Sequence, residues 1–268
     1  MKIVLILFIS LVIFSCKGKL EPDEIYTNIQ GDWVCGDYSF SFQDSSCKYL
    51  TPYNNYTRFS IIDDTIKCDP NKYFRKEYQK DKIDFQILSL IKDTLMIRSP
   101  SYLAMEDTLT FTKVPYYSSE DLTFDTLLIQ VYPHLNFIRT TSMMIDNHLN
   151  VYLNKKTSPN DLKTYVGTIN KHQLKIINDK IRQINIRKLK KLYFDGNDMA
   201  FSIYLVMKLK NKTYSAKEDF YIKVKGYGDV PKELELLLYY LIYLPDQISY
   251  SESTKEIDIW KLVLKSAS

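Results

Sequence analysis

The sequence predicts two domains: an all-β antiparallel barrel, then an α+β domain with two helices on one face of an antiparallel sheet. Three observations support this prediction. Apolar runs alternate with Asp-Thr turns along 26–114, a polar break follows at 115–121, and helical spacing of apolar residues appears within 122–250. Because 45% of the 268 residues are hydrophobic, the chain can bury substantial cores.

Composition excludes several function classes. The chain has seven glycines, which leaves little material for glycine-rich phosphate loops, so most nucleotide-binding folds are excluded. Its 36 basic and 32 acidic side chains give a net charge of +4. The hydrophobic content also excludes a collagen-like or wholly disordered chain. We therefore expect a globular protein that binds no cofactor and no nucleic acid.

Residues 1–15 have the profile of a signal peptide. Lys2 precedes an apolar run from Ile3 to Phe14, which ends at the small residue Ser15. As a helix, this run would span about 18 Å, well short of the roughly 30 Å hydrocarbon core of a bilayer. We expect it to be removed by cleavage rather than to anchor the chain.

The segment Ile13-Phe14-Ser15-Cys16 resembles the lipobox of bacterial lipoproteins, although Phe14 is bulkier than usual. The resemblance implies that Cys16 is lipidated and becomes the mature N-terminus. Residues 16–25 are polar without periodicity, which predicts a tether. They are similar to the start of Bacteroidetes-type lipoproteins, but Lys17 and Lys19 replace the acidic cluster of surface export. This departure favours attachment to the outer membrane facing the periplasm.

Cys35, Cys47 and Cys68 are then left over in an oxidising compartment, so they can form at most one internal disulfide. A straight hairpin would place Cys47 opposite Phe42, too far along the strand from Cys35. A break at Gly36-Asp37 would change this, so the connectivity stays open. A zinc site is disfavoured, because the chain has no C-x-x-C pair and no His in 16–133.

Residues 26–114 predict an antiparallel meander of seven or eight strands without a helix. Asp64-Thr65, Asp93-Thr94 and Asp107-Thr108 each separate apolar alternating runs, because Asp suits turns and Thr suits the start of a strand. We expect the sheet to close into a barrel, since closure removes exposed strand edges.

Gly31-Asp32-Trp33, together with the closing run 107–111, resembles the lipocalin-like domains of Bacteroidetes lipoproteins. The resemblance implies that Trp33 packs across the closed end of the barrel. Two alternatives stay open for the interior: a packed core, or a cavity for a small apolar ligand. The aromatic residues that could line either are Tyr38, Phe40, Phe42, Tyr49, Tyr53, Tyr56, Phe59, Tyr73 and Phe74.

The second domain, 122–250, predicts the order β-β-β-α-β-β-α. Its first helix begins with a capping box formed by Asn170 and Gln173, and its second helix begins at Pro231. The predicted strands are Phe124–Tyr132, Ser142–Ile145, Leu149–Leu153, Tyr165–Ile169, Ala200–Leu209 and Phe220–Val224.

This second domain resembles an uncharacterised family of Bacteroidetes lipoproteins and secreted proteins. The resemblance is carried by Tyr165, Gly167, Gly228 and Pro231, and it implies no activity. Residues 251–268 form a C-terminal segment, which we expect to dock on the second domain and to cover Trp260.

Catalytic and metal-binding patterns are not recognisable. His134, His148 and His172 fall in different predicted elements, and we expect His148 and His172 to be exposed. The loop 195–198 has three side chains that carry oxygen, but it lacks the spacing of a calcium loop. Arg182 and the basic residues of 186–191 form a basic strip, interpreted as a solvated helix face or, second, as a contact for anionic lipid.

The sequence therefore favours a non-enzymatic, lipid-anchored envelope protein that acts as a binding or structural module. Its expected partners are membrane lipid, through the anchor, and either another envelope protein or a small apolar ligand. Two alternatives stay open. One is a carrier that holds an apolar ligand in the barrel, and the other is an enzyme built from scattered Asp, Glu and Tyr residues.

Overall fold

The computed structural model describes most of the chain beyond residue 20. The described residues are 21–49, 56–69, 83–99, 107–117, 124–133, 140–158, 161–190, 192–194, 201–209, 220–225, 230–254 and 257–259. Contacts divide the chain into two compact units that part between Lys113 and Val114.

The first unit contains a closed barrel of eight antiparallel strands, and the described residues before the barrel form the helix α1 (Pro22–Ile29). The strands are β1 (Gly31–Cys35), β2 (Tyr38–Gln43), β3 (Ser46–Lys48), β4 (Thr57–Ile62), β5 (Thr65–Cys68), β6 (Ile83–Ile91), β7 (Thr94–Arg98) and β8 (Thr108–Lys113). Each strand pairs with the next along the chain, and β8 closes the barrel onto β1 through the pairs Trp33 with Lys113 and Val34 with Thr112.

The turn chemistry predicted from the sequence is confirmed. Thr65, Thr94 and Thr108 are the first residues of β5, β7 and β8, and each follows the Asp that was expected to make the turn. The prediction that Cys47 lies opposite Phe42 is also confirmed by the register of β2 and β3. The expected meander thus forms eight strands and closes.

Helix α1 corrects the expectation that residues 16–25 are an unstructured tether and that 26–114 holds no helix. Pro22 occupies the first position and Asp23 and Glu24 the first turn, where a fixed φ and negative charge stabilise a helix. Ile25 and Ile29, four residues apart, are buried against the barrel core. Helix α1 therefore belongs to the folded unit.

The inward side chains of the barrel form one apolar cluster with the buried face of α1. Its buried members are Ile25, Ile29, Trp33, Phe40, Phe42, Cys47, Tyr49, Phe59, Ile66, Cys68, Ile83, Phe85, Ile87, Leu90, Leu95, Ile97, Leu109 and Phe111. Inward and outward side chains alternate along the strands except at the bulge in β6, where Ile87 and Leu90 are both core residues, so the residues between the inward positions point away from the core.

In its described residues, the second unit contains an eight-stranded sheet and two α-helices. The strands are β9 (Phe124–Pro133), β10 (Thr140–Asp146), β11 (Asn150–Ser158), β12 (Asp161–Thr168), β13 (Leu192–Phe194), β14 (Phe201–Leu209), β15 (Phe220–Lys225) and β16 (Tyr250–Glu252). The helices are α2 (Lys171–Gln183) and α3 (Lys232–Tyr243), which contact each other, and α3 also contacts β9.

The sheet order is β13-β15-β14-β9-β10-β11-β12-β16, and all neighbours are antiparallel except β13 and β15, which are parallel. The predicted order β-β-β-α-β-β-α counts one strand too few before the first helix, although the four segments predicted as strands there are all present as β9 to β12. Four strands precede α2, and the three-residue strands β13 and β16 are additional. Three residues are too few to show an alternating pattern in the sequence.

Both predicted helices of the second unit are present. The Asn170 side chain accepts a hydrogen bond from the Gln173 backbone nitrogen, and the Gln173 side chain accepts one from the Asn170 backbone, which confirms the capping box. Pro231 is the N-cap of α3 rather than its first residue, so this helix begins at Lys232, one residue later than predicted.

The described part of the C-terminal segment lies against the sheet. Ile259 is buried with Leu128, Met144 and Val206, and the Asn154 side chain donates a hydrogen bond of 2.9 Å to the Ile257 carbonyl. Docking of this segment agrees with the expectation, whereas Trp260 lies outside the described residues.

Candidate functional site

Aromatic rings meet across the middle of the barrel. The rings of Phe40, on β2, and Phe85, on β6, contact edge to face with centroids 5.1 Å apart. Strands β2 and β6 are four strands apart in a closed barrel of eight, so they lie on opposite walls. Phe40 also contacts Phe42 and Phe111 at 5.2 Å. Side chains therefore fill the lumen at this level.

Most of the described aromatic candidates for the barrel wall belong to this core. Phe40, Phe42, Tyr49 and Phe59 are buried members of the cluster, and Tyr38 packs against it. Tyr53, Tyr73 and Phe74 lie outside the described residues.

Trp33 lies at the end of the barrel covered by α1. Its indole nitrogen donates a 2.6 Å hydrogen bond to the Ile29 carbonyl, and the ring is fully buried. The Lys113 ammonium lies 5.2 Å from the ring centroid and donates to the Asn28 carbonyl at 3.1 Å. Burial lowers the pKa of Lys113, and nearby Asp93 opposes this shift. The Trp33 ring is therefore held by α1 and by Lys113 and is shielded from solvent.

The most unusual polar feature is a buried row on the outer face of the barrel. Asp32 pairs with Ser41, and Ser41 pairs with Lys48, so the three side chains are neighbours across β1, β2 and β3. They point away from the core, yet Asp32 is 1% exposed, Ser41 2% and Lys48 5%. The Ser41 hydroxyl donates a hydrogen bond to the Asp32 carboxylate. We call Asp32, Ser41 and Lys48 the polar row.

Tyr56, which precedes β4, adds a phenol to the polar row. Burial raises the pKa of Tyr56 well above its usual value, and the negative charge of Asp32 raises it further. The nearby Cys47 thiol adds to the rise in pKa, and the proximity of the Ser41 side chain opposes it. Tyr56 therefore stays protonated at any physiological pH.

The Ser41 hydroxyl is hydrogen-bonded to the Asp32 carboxylate, and Lys48 and Tyr56 are neighbours. These are the kinds of groups that enzymes use for nucleophilic catalysis. Here each of the three residues of the polar row is almost completely buried, so the Ser41 hydroxyl has no exposed side from which a substrate could approach. A buried, hydrogen-bonded charge instead fixes the local packing of strands, because leaving it unpaired costs several kcal/mol, on the order of 3–5. The arrangement fits a structural network.

The three remaining cysteines divide into a pair and a single residue. Cys47 and Cys68 are buried with their Sγ atoms 3.2 Å apart, whereas Cys35 is partly exposed at the turn between β1 and β2. All three are free thiols in this structure.

The histidines do not form a site among the described residues. His148 lies in the turn between β10 and β11 and His172 in the first turn of α2, and both are exposed as expected. Within the described ranges, no cluster of three His, Cys, Asp or Glu side chains could hold a metal ion. His134, the loop 195–198 and the lipidation residue Cys16 lie outside those ranges.

The basic strip is partly neutralised where it meets α2. Arg182 forms an ion pair with Asp179 at 3.6 Å, and its guanidinium stacks 4.9 Å from the centroid of the Tyr116 ring. Arg187, Lys188 and Lys190 are exposed on and after the short 3-10 helix Ile186–Lys188. The exposure of these three residues fits both interpretations of the strip, a solvated face and a contact for anionic lipid.

The closed eight-stranded antiparallel barrel is compatible with a lipocalin-like protein. Comparison with protein-family models, with curated proteins and with solved structures found no match to this chain. In the part of the chain that the structure describes, no helix is both long and apolar enough to cross a membrane.

Proposed function

We propose that this chain is a lipid-anchored protein of a Gram-negative-type bacterial envelope, and that it acts as a non-enzymatic module that binds or holds a partner. The observation that carries the proposal is the contact of Phe40 with Phe85 across the barrel. A barrel filled by side chains is a rigid scaffold rather than a container, so its outer surface is the part available to a partner.

In this proposal the barrel is a lipocalin-like domain of a Bacteroidetes-type lipoprotein, and the second unit is an α+β domain of an uncharacterised family. The lipobox Ile13–Cys16 supplies the attachment. Each buried acyl methylene contributes about 0.8 kcal/mol, so several acyl chains on Cys16 hold the protein at the membrane without help from the fold.

The helix α1 shortens the tether that the sequence predicted. Only residues 17–21 separate Cys16 from Pro22, the first residue of α1, and they span at most about 20 Å. A barrel held this close to the headgroups, on the periplasmic side of the outer membrane, suits a partner that also lies at that membrane.

Metabolic labelling with radioactive palmitate tests the anchor. Wild-type protein should take up label, and Cys16→Ala should take up none. Cys35→Ala should be labelled like the wild type, because only Cys16 belongs to the lipobox. Equal labelling of Cys16→Ala and wild type would overturn the proposal. Biotinylation of intact cells with a reagent that does not cross the outer membrane should leave a periplasm-facing protein unmodified.

A dye titration separates the module from a carrier. An apolar naphthylamine dye should show no saturable fluorescence increase with the wild-type protein, because the lumen is filled where Phe40 and Phe85 meet. Saturable binding that the larger side chain of Leu95→Phe abolishes would place a ligand in the barrel and would favour the carrier instead, since Leu95 is a buried core residue.

A further inference from the structure

The thiols of Cys47 and Cys68 contact each other inside the barrel. Their Sγ atoms are 3.2 Å apart, and both residues are members of the buried core. Cys47 lies on β3 and Cys68 on β5, so the contact spans β4, the strand between them. A disulfide bond is about 2.05 Å long, so the two sulfur atoms must approach by about 1 Å, with β3 and β5 drawing closer together as the bond forms.

We propose that Cys47 and Cys68 form a disulfide bond in the mature protein, and that Cys35 remains a thiol. Cys35 pairs with Tyr38, whereas Cys47 pairs with Phe42, four residues further along β2. Four residues of strand span roughly 13 Å, which is beyond the reach of a disulfide. The register therefore excludes a bond between Cys35 and Cys47. The contact of the two sulfurs selects the bond between Cys47 and Cys68.

The bond would reinforce a weak part of the barrel. Strand β3 has three residues and contacts β4 through the register pairs Ser46 with Arg58 and Cys47 with Thr57. A link from Cys47 to Cys68 ties β3 to β5 and holds β4 between them. It also closes a loop of 22 residues, which restricts the unfolded chain.

The oxidant is a disulfide, either that of an envelope thiol oxidase or glutathione disulfide. One cysteine thiolate attacks a sulfur of the oxidant, which forms a mixed disulfide and releases the first oxidant thiol. The second cysteine thiolate then attacks the mixed disulfide, forms the Cys47–Cys68 bond and releases the second oxidant thiol. The two cysteines lose two electrons and two protons, and the oxidant disulfide is reduced to two thiols.

The attack of a cysteine thiolate on the oxidant is disfavoured once the barrel has closed. Burial raises the pKa of the Cys68 thiol well above its usual value, and the contact with Cys47 raises it further, with smaller effects from Asp69 and Asp84. The thiolate is therefore scarce once the barrel has closed. Oxidation therefore takes place during folding, before β3, β4 and β5 enclose the two sulfurs. Once the bond is formed and buried, it is protected from reductants.

Intact mass measurement tests the pairing. The full-length chain with Cys16→Ala keeps three cysteines, and it is produced in a reducing cytoplasm, purified in detergent and refolded with glutathione disulfide. After denaturation and alkylation, one thiol should be modified, and a non-reducing digest should join the peptides that carry Cys47 and Cys68. Three modified thiols, or a link through Cys35, would overturn the proposal.

Matched variants keep this test independent of folding losses. Adding Cys35→Ser should leave no thiol to modify and keep the bridge, whereas adding Cys47→Ser should leave two thiols and no bridge. Reduction of the bridged protein should lower the midpoint of thermal unfolding by roughly 10 °C or more. If reduction moves the midpoint by less than about 2 °C, the bond does not constrain the barrel as proposed.

A second measurement separates this inference from the proposed location. Thiols are trapped by alkylation at the moment of lysis in cells that express the natural chain. A bridge that forms in the refolded protein but not in the cells would leave the pairing intact and would contradict export to an oxidising compartment.

Discussion

The indole nitrogen of Trp33 donates a hydrogen bond to the backbone oxygen of Ile29 at 2.6 Å, which joins the first barrel strand to the last turn of α1. Lys113, at the end of β8, lies over the same indole and donates to the Asn28 carbonyl. The first strand, the last strand and α1 therefore meet at one side chain. Trp33 is the point at which the barrel closes and at which its end is covered.

Trp33→Phe should destabilise the barrel. The substitution removes the donor to Ile29, leaves a buried carbonyl without that partner and creates a small cavity, which together cost about 1–3 kcal/mol. Urea unfolding followed by circular dichroism measures the loss. Tyr117→Phe is the matched control, because the Tyr117 ring is 52% exposed and its substitution should change stability by less than about 0.5 kcal/mol. Equal stability of Trp33→Phe and wild type would contradict the role given to this bond.

The barrel could be predicted from the sequence because its signals are local. Thr65 and Thr94 start strands directly after an Asp turn, and hairpin counting alone placed Cys47 opposite Phe42. Helix α1 could not be predicted in the same way. It has eight residues and only Ile25 and Ile29 on its buried face, so its stability comes from packing on the barrel rather than from its own periodicity.

The polar row was missed because it exists only in the register of three strands. Asp32 stands beside Trp33 in a short motif, and Ser41 and Lys48 alternate with core residues as ordinary outward positions do. Alternation correctly predicts that they face outward, but it cannot show that the outer face is covered there. The contact of Cys47 with Cys68 likewise required the curvature of the closed barrel. A signal for the polar row was that Ser39 and Ser41, small polar residues, alternate with the aromatic residues of β2.

Asp32 and Ser41 should be energetically coupled. Ser41→Ala removes a donor from a buried carboxylate and should cost about 1–3 kcal/mol, because the carboxylate then lacks one of its partners. In a double-mutant cycle with Asp32→Asn, the coupling free energy should be about 0.5–3 kcal/mol. Urea unfolding of the four proteins measures it.

Gln86 and Arg98 provide the control cycle for that experiment. They are also directly opposite each other on neighbouring barrel strands and joined by a side-chain hydrogen bond of 3.1 Å, but they are exposed. The cycle of Gln86→Ala and Arg98→Ala should give a coupling below about 0.5 kcal/mol, since solvent screens such pairs. If both cycles give the same small value, the burial of the polar row has no energetic consequence.

Gly167→Ala should destabilise the second unit. A Cβ atom at Gly167 would lie 2.7 Å from the Ser249 carbonyl oxygen and 2.8 Å from the Tyr250 ring, so β16 would have to move away from β12. Such overpacking costs about 1–3 kcal/mol, and the midpoint of thermal unfolding should fall accordingly. Gly36→Asn is the control. Gly36 has a φ of +54°, and nothing lies within 4 Å of its added Cβ, so Asn should be tolerated there. A larger loss at Gly36 than at Gly167 would contradict this account.

Stability should fall as the pH rises above about 10, and Tyr56 should account for part of the fall. Burial and the charge of Asp32 raise the pKa of Tyr56, so above pH 10 the unfolded chain loses a proton that the folded chain keeps. The free energy of unfolding then decreases by up to about 1.4 kcal/mol per pH unit for this group. In the reduced protein, Cys68 adds a loss of the same sign from about pH 8.5, because its thiol pKa is also raised.

Comparing wild type with Tyr56→Phe isolates the tyrosine from these other groups. The stability of the variant should decline less steeply than that of wild type between pH 10 and 11, because the variant lacks the phenol whose pKa is raised in the folded state. Guanidinium unfolding of both proteins at each pH measures the two slopes. Parallel slopes for Tyr56→Phe and wild type would mean that the phenol ionises equally easily in both states, and the burial of Tyr56 against Asp32 would then have to be abandoned.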